Sequence, residues 1–220
     1  MNGPIVCYVS DRKSLSGKDR QSNILDKIRA AAEARVDWIQ IREKDLRTSD
    51  LSVLTREALR AVALANSKAR VLVNDRLDIA LAVAASGVHL SNESVQVREV
   101  VRWCRIGNAP PEFLIGVSCH RLEEVQAAEI AGADYAFFGP VFDTPSKRAF
   151  GAPHGVLELG AVTRAIKIPV IAIGGIGEEN AMECIRAGAA GIAAIRLFQE
   201  PRESAELSES IAALHRLPTH

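Results

Sequence analysis

Cysteine is scarce in this chain of 220 residues, and the four present, Cys7, Cys104, Cys119 and Cys184, are widely scattered. Thiols at such separations make neither a CxxC pair nor a zinc knuckle, and four are too few to staple a chain this long. Cys7 lies inside an apolar run, where cysteine behaves as a small buried hydrophobe. An excess of one charge is lacking too: 27 basic residues balance 27 acidic ones, and no block of five like charges occurs. Neither nucleic acid nor a membrane surface is therefore expected as a partner. No apolar run approaches the roughly 18 residues of a membrane span. The N-terminus also lacks the charged stretch and long apolar run of a signal peptide. The expected location is the cytoplasm.

What the chain does have is repetition. Eight short apolar runs recur: Ile5–Val9, Val36–Ile41, Val71–Val73, Gly87–Leu90, Phe113–Val117, Tyr135–Phe138, Pro169–Ile173 and Gly191–Ile195. Between most of them lies an amphipathic stretch. Ser22 to Ala34 places Ile24, Leu25, Ile28, Ala31 and Ala32 at helical spacing, with Ser22 or Asn23 as cap. Further helices are predicted from Thr48 or Ser49 through Leu64, over Asp78–Ala85, Val95–Trp103, Arg121–Ala131 and Glu178–Ala187, and through Leu207, Ile211 and Leu214. The phrases Ala131-Gly132-Ala133 and Ala187-Gly188-Ala189 read alike, each a helix stop leading into a strand. Strand and helix alternating eight times predict one α/β domain, a single (β/α)8 TIM barrel over residues 1–220. Enzymes of that fold build their sites where the strands end.

The residues at those ends therefore become the candidates. The seventh run closes on Gly174-Gly175 before a helix, where backbone can approach a ligand and free N–H groups can hold an anion. A tight turn explains the same dipeptide equally well. The eighth closes on Ile195-Arg196, and in barrels these two loops commonly cup a phosphate. The loop after Phe138 carries Thr144, Ser146 and Lys147, hydroxyls and an ammonium suited to phosphate oxygens; its alternative is an idle surface loop. In Gln40-Ile41-Arg42-Glu43-Lys44, alternation places Gln40, Arg42 and Lys44 on one side. Asn74-Asp75 adds an amide and a carboxylate, which beside phosphate suit Mg2+; on spacing alone, a salt bridge from Asp75 to Arg42 or Arg76 is the safer expectation. His89, inside an apolar run, reads as a satisfied core histidine. Ser118 and His120 stand at the rim, and His120 is placed for proton transfer. His154, His215 and His220 follow no pattern.

Six segments then carry a resemblance: Gln40-Ile-Arg-Glu-Lys44, Val73-Asn-Asp-Arg-Leu-Asp-Ile-Ala80, Gly87-Val-His-Leu90, Ile115-Gly-Val-Ser-Cys-His120, Phe138-Gly-Pro-Val-Phe-Asp-Thr-Pro-Ser-Lys147 and Ile171-Ala-Ile-Gly-Gly-Ile176. In order and nearly throughout the chain, they resemble the thiamine-phosphate synthases and their sister thiazole tautomerases. The resemblance implies coupling of a hydroxymethylpyrimidine diphosphate to a thiazole phosphate, with pyrophosphate leaving first. It implies that Arg42, Lys44, Asn74, Ser118 and Lys147 hold pyrophosphate, with Asp75 on Mg2+. Gln40, Thr144, Ser146, Gly174, Gly175, Ile195 and Arg196 would line the sites of the two phosphorylated substrates. Two positions depart from the pattern. Ser94 stands where the synthases usually carry a second Mg2+ carboxylate, and Arg196 stands where they usually carry a small residue. The tautomerases also lack the second carboxylate; they aromatise thiazole phosphate without metal, using a histidine that matches His120. Two further expectations remain: another phosphate-binding barrel acting on a sugar or indole phosphate, since fold alone does not fix chemistry, and a non-catalytic paralogue that still binds thiazole phosphate. The sequence leaves homo-oligomerisation open.

Overall fold

Each apolar run becomes a strand whose two faces are both covered, one by the barrel interior and one by helices. The computed structural model describes residues 3–15, 20–91, 93–144, 152–200 and 202–218. The strands are β1 (Ile5–Val9), β2 (Trp38–Ile41), β3 (Arg70–Asn74), β4 (Gly87–Leu90), β5 (Leu114–Cys119), β6 (Tyr135–Phe138), β7 (Val170–Ile173) and β8 (Gly191–Ala194). All neighbours pair in parallel, and β1 joins β2 on one side and β8 on the other, which closes the barrel. The helices are α1 (Arg20–Glu33), α2 (Thr48–Leu64), α3 (Leu77–Ala82), α4 (Val97–Trp103), α5 (Leu122–Ala131), α6 (Gly155–Ala165), α7 (Glu178–Arg186), α8 (Arg196–Gln199) and α9 (Ser204–His215). None is long and apolar enough to cross a membrane, among the described residues.

Strand alternation divides the core in two. Cys7, Val9, Trp38, Leu72, Tyr135, Phe137, Ile171 and Ala193 fill the interior, while Val6, Tyr8, Ile39, Val73 and Val88 pack outward against the helices. Successive strand residues face opposite ways. Stepping by two from Trp38 and Leu72 therefore brings Gln40 and Asn74 inward at the top of the barrel. The interior is aromatic: the Trp38 and Tyr135 rings lie 4.5 Å apart, and those of His89 and Phe137 lie 4.2 Å apart. Gly116 makes room for this. A Cβ there would lie 2.0 Å from Tyr135 Cζ, so the phenol crosses β5 directly over the glycine. Gly116→Ala forces the ring aside in a packed interior. The expected cost is about 1–3 kcal/mol or more, read as a lowered denaturant midpoint; an unchanged midpoint would mean the interior has slack.

The repeated Ala-Gly-Ala stops behave as the pattern predicts. Gly132 caps α5 in the left-handed region at φ 88°, its N–H reaching the Ala128 and Glu129 carbonyls, and Gly188 after α7 has φ 93°. A second repeat appears only in three dimensions. Asp37 before β2 accepts the Val6 N–H of β1 at 2.8 Å, and Asp134 before β6 accepts the Ile115 N–H of β5 at 2.7 Å. Each carboxylate satisfies a backbone donor at the strand beginning next door.

Several boundaries differ from the sequence reading. Strand β2 starts at Trp38, two residues late, because Val36 and Asp37 finish the turn from α1. Strand β8 stops at Ala194, and Arg196 opens the short α8 rather than ending a strand. Helix α6 was not foreseen. All four cysteines are free and buried. Burial pushes every thiol pKa up, Cys119 and Cys184 to about 12, so none is a thiolate nucleophile at neutral pH.

Candidate active site

Because every strand runs the same way, all eight C-terminal ends open on one mouth, and side chains tie those ends together. Ser10, directly after β1, donates to buried Glu43 at 2.7 Å, and its Oγ accepts the Arg42 N–H at 2.9 Å. Glu43 also takes the Arg12 N–H. Burial raises the Glu43 pKa, while bonds from Ser10 and Arg12 pull it back. Glu43 thus braces the β2 loop, a role that its place between Arg42 and Lys44 did not reveal. Lys44 lies in the turn beyond β2, so the expected Gln40-Arg42-Lys44 alternation stops at Arg42. Gln40 is 1% exposed, and its Nε2 has no hydrogen-bond partner among the described residues. A buried amide donor left unpaired is costly, so its presence at the mouth calls for a ligand or water.

Asp75 is held in an unusual turn. Its φ is 60°, a left-handed conformation that Asp tolerates better than most side chains. Its N–H reaches the His89 carbonyl at 2.9 Å, tying β3 to β4. Oδ1 accepts the Ser91 N–H at 2.7 Å and the Ser94 hydroxyl, and Oδ2 accepts the Asn74 amide at 2.8 Å. The salt bridge to Arg42 or Arg76 is not formed: Arg76 pairs with Asp78 at 2.6 Å instead. Burial opposes ionisation of Asp75. The Ser94 and Ser91 bonds, with Lys44 nearby, outweigh it and hold the carboxyl below its ordinary value. Ser94, the departure from the synthase pattern, is therefore a donor to the first carboxylate. Glu93 beside it is exposed.

The Asp75 shift has a measurable consequence. A lowered carboxyl pKa contributes stability above the unfolded value, about 3.9, and that contribution is lost as pH falls through the folded value. Asp75→Asn is accordingly expected to flatten the acid-side fall of Tm. Parallel Tm–pH curves for variant and parent would contradict this.

His89 is the core histidine that the apolar run suggested, but it is also connected. Its Nδ1 lies 3.0 Å from the Tyr135 hydroxyl and its Nε2 2.9 Å from Ser118 Oγ. Desolvation pushes its pKa down to about 3, with Asp75 opposing and Arg42 assisting, so the ring is neutral. His120 donates from Nδ1 to the Gly139 carbonyl, tying β5 to β6. A carbonyl only accepts, so Nδ1 carries the proton of that bond and Nε2 is the ring nitrogen not engaged by it.

Gly174 and Gly175 have φ of 99° and 67°. A Cβ on Gly174 would meet Pro140 Cα at 2.6 Å, and one on Gly175 would meet the Asp143 carbonyl oxygen at 2.6 Å. The pair is thus required by the loop leaving β6, whose Val141 and Phe142 N–H groups bond to the Ile173 and Gly174 carbonyls at 2.9 and 3.0 Å. The described part of that loop breaks off after Thr144 and resumes at Ala152; Ser146 and Lys147 lie outside the described residues. Ile195 precedes α8 and is half-buried. Arg196 is exposed and lines an open cleft of about 550 Å³ with Gly177, Glu178, Leu197 and Arg202, so its bulk is carried toward solvent. No cluster of three or more His, Cys, Asp or Glu suited to a metal occurs among the described residues.

A closed parallel barrel with this polar mouth is a (β/α)8-barrel enzyme. The family model for thiamine monophosphate synthase matches residues 6–198. The chain belongs to that family. It is 36% identical to a thiamine-phosphate synthase of Chlorobium phaeobacteroides, covering 96% of each chain. It is 42% identical to one of Moorella thermoacetica, covering 78% of each. A thiamine phosphate pyrophosphorylase from Pyrococcus furiosus superposes with a TM-score of 0.79 at 30% identity, covering 96% of this chain and 94% of that one.

Proposed function

We propose that this chain makes thiamine phosphate by joining a hydroxymethylpyrimidine diphosphate to a thiazole phosphate with release of pyrophosphate. In this reaction the bond from the pyrimidine methylene carbon to the diphosphate oxygen breaks heterolytically. Pyrophosphate takes the electron pair, and the thiazole nitrogen supplies the pair for the new C–N bond. The protein's task is to stabilise developing negative charge with fixed donors and cations. The observation that supports this most directly is the inward ring of Gln40, Asn74 and Ser118 beside an ionised Asp75, with one buried amide donor unpartnered.

In this reading Arg42, Lys44, Asn74, Ser118 and Lys147 hold the diphosphate. Gln40 orients the pyrimidine. Thr144, Ser146, Gly174, Gly175, Ile195 and Arg196 receive the thiazole phosphate. Asp75 fits Mg2+ as a single carboxylate: three donors occupy its oxygens, which leaves one lone pair on Oδ2, with Asn74 and Ser94 oxygens adjacent. One or two carboxylates plus substrate oxygens and water satisfy this cation. When bound, Mg2+ would neutralise charge on the departing group.

The sister activity, metal-free thiazole tautomerisation, draws support from the single carboxylate and from His120, whose ring is held at the mouth by the Gly139 carbonyl. Both readings are assayed together. Incubation with the two phosphorylated substrates and Mg2+ is expected to yield thiamine phosphate, and chelator to abolish it. Chelator-insensitive conversion of a thiazole tautomer, without coupled product, would overturn the proposal.

A further inference from the structure

Behind Ser118, the interior holds two linked side chains to which the reaction assigns no part. His89, Gly116 and Tyr135 sit level on three neighbouring strands, since His89 pairs with Gly116 and Gly116 with Tyr135. The missing side chain of Gly116 lets the Tyr135 ring pass over β5 to His89. Ser118 stands two residues further up β5, on the same face, at the mouth. Tyr135 and His89 are each 1% exposed. The result is a buried line running Tyr135 Oη, His89 Nδ1, His89 Nε2, Ser118 Oγ, with separations of 3.0 and 2.9 Å at its two ends.

We propose that Tyr135 and His89 are positioning residues that lock Ser118 as a hydrogen-bond donor toward the anion in the mouth. Counting protons decides the direction. A neutral imidazole carries one N–H, so one nitrogen donates and the other accepts. Among the described residues, His89 Nδ1 is the one hydrogen-bond partner of the Tyr135 hydroxyl. Suppose Nδ1 carried the proton. The buried phenol would then accept, leaving its own O–H without an acceptor, and an unmade buried donor is expensive. Ser118 would have to donate into the ring, and its lone pairs would face an incoming anion. With the proton on Nε2, every group is satisfied. Tyr135 donates to Nδ1, Nε2–H donates to Ser118 Oγ, and the Ser118 proton is left to point at the ligand. Hydroxyl protons rotate freely; the relay excludes the orientation that turns the Ser118 proton back toward His89 before substrate arrives, which is preorganisation of the kind that stabilises charge at no cost during the reaction.

This inference rests on the reading that Ser118 meets the diphosphate, and its test separates the two. Nitrogen-15 NMR of histidine-labelled free enzyme is expected to show His89 as the Nε2–H tautomer. Tyr135→Phe keeps the packed ring and removes the bond that holds Nδ1 as an acceptor, so the preference for the Nε2–H tautomer should weaken. Titrated with Mg2+ and inorganic pyrophosphate, Tyr135→Phe should bind about tenfold more weakly. Its kcat should fall by a similar factor, with the KM for thiazole phosphate unchanged. In a Ser118→Ala background the same change should cost nothing further. A parent enzyme that is mainly Nδ1–H overturns the proposal. So does a Tyr135→Phe penalty that is equal in both backgrounds, as a purely structural role requires. If the parent binds no pyrophosphate and makes no thiamine phosphate, the functional reading fails and the anion facing Ser118 fails with it; the tautomer, measured on free enzyme, is decided separately.

Discussion

Lys147→Ala is expected to lower turnover about 10²–10³-fold, the largest single effect foreseen for this chain. The reasoning is electrostatic. Pyrophosphate gains charge as its bond to the pyrimidine carbon breaks, and an ammonium fixed beside it is worth more in that state than in the bound substrate. Lys147 lies outside the described residues, but both flanks of its loop are pinned at the mouth. Val141 and Phe142 bond to Ile173 and Gly174 on the way out, and the N–H groups of His154 and Gly155 bond to the Pro140 and Val141 carbonyls on the way back, each at 2.9 Å. Lys147→Arg keeps the charge and should retain part of the rate; arginine and lysine are not interchangeable in shape. Steady-state kinetics at saturating substrates and Mg2+ checks both. A loss of less than about tenfold in the alanine variant would show that the loop plays no electrostatic part.

Ser94→Asp should make both stability and rate depend on metal. In the parent, the Ser94 hydroxyl donates to Asp75 Oδ1. An aspartate there removes a donor and sets a second carboxylate against the first, and like charges at that range disfavour each other's ionisation. In chelator, Tm should fall by about 2–4 °C for each kcal/mol of repulsion. Mg2+ binds the folded pair and not the unfolded chain, so adding it should restore or exceed the parent Tm. Coupling at limiting metal should then rise above that of the parent. A Tm that ignores Mg2+ in the variant would remove Asp75 from the metal site. His120→Ala provides the contrast, since it should abolish a tautomerase and leave metal dependence untouched.

The barrel was legible because its signals are local. A run such as Ile5–Val9, covered on both faces, needs apolar residues at every position, and the repeated Ala-Gly-Ala stops mark where helices yield to strands. The mouth was legible at one remove: once the strands are counted, parallel pairing alone brings Gln40, Asn74 and Ser118 to one end. Boundaries and pairings were less so. The Gly174-Gly175 pair reads as a phosphate turn, yet close contact with Pro140 and Asp143 demands it whether or not a ligand binds. Asp75 reads as a salt-bridge partner of Arg42 or Arg76, yet a left-handed turn delivers it to two serines and an asparagine.

From its sequence alone, this protein could be placed in its fold class and in its family, and its candidate residues at one end of the barrel. These follow from periodicity and from motifs contiguous in the chain. Only the tertiary structure decided which groups face each other across strands. Ser94 meets Asp75 over a separation of 19 residues, Ser118 meets His89 over 29, and His89 meets Tyr135 over 46. Such pairs depend on barrel register, and the last of them on the absence of a side chain at Gly116. Neither leaves a trace in local spacing, because a hydrogen bond is set by distance in space and not by distance along the chain.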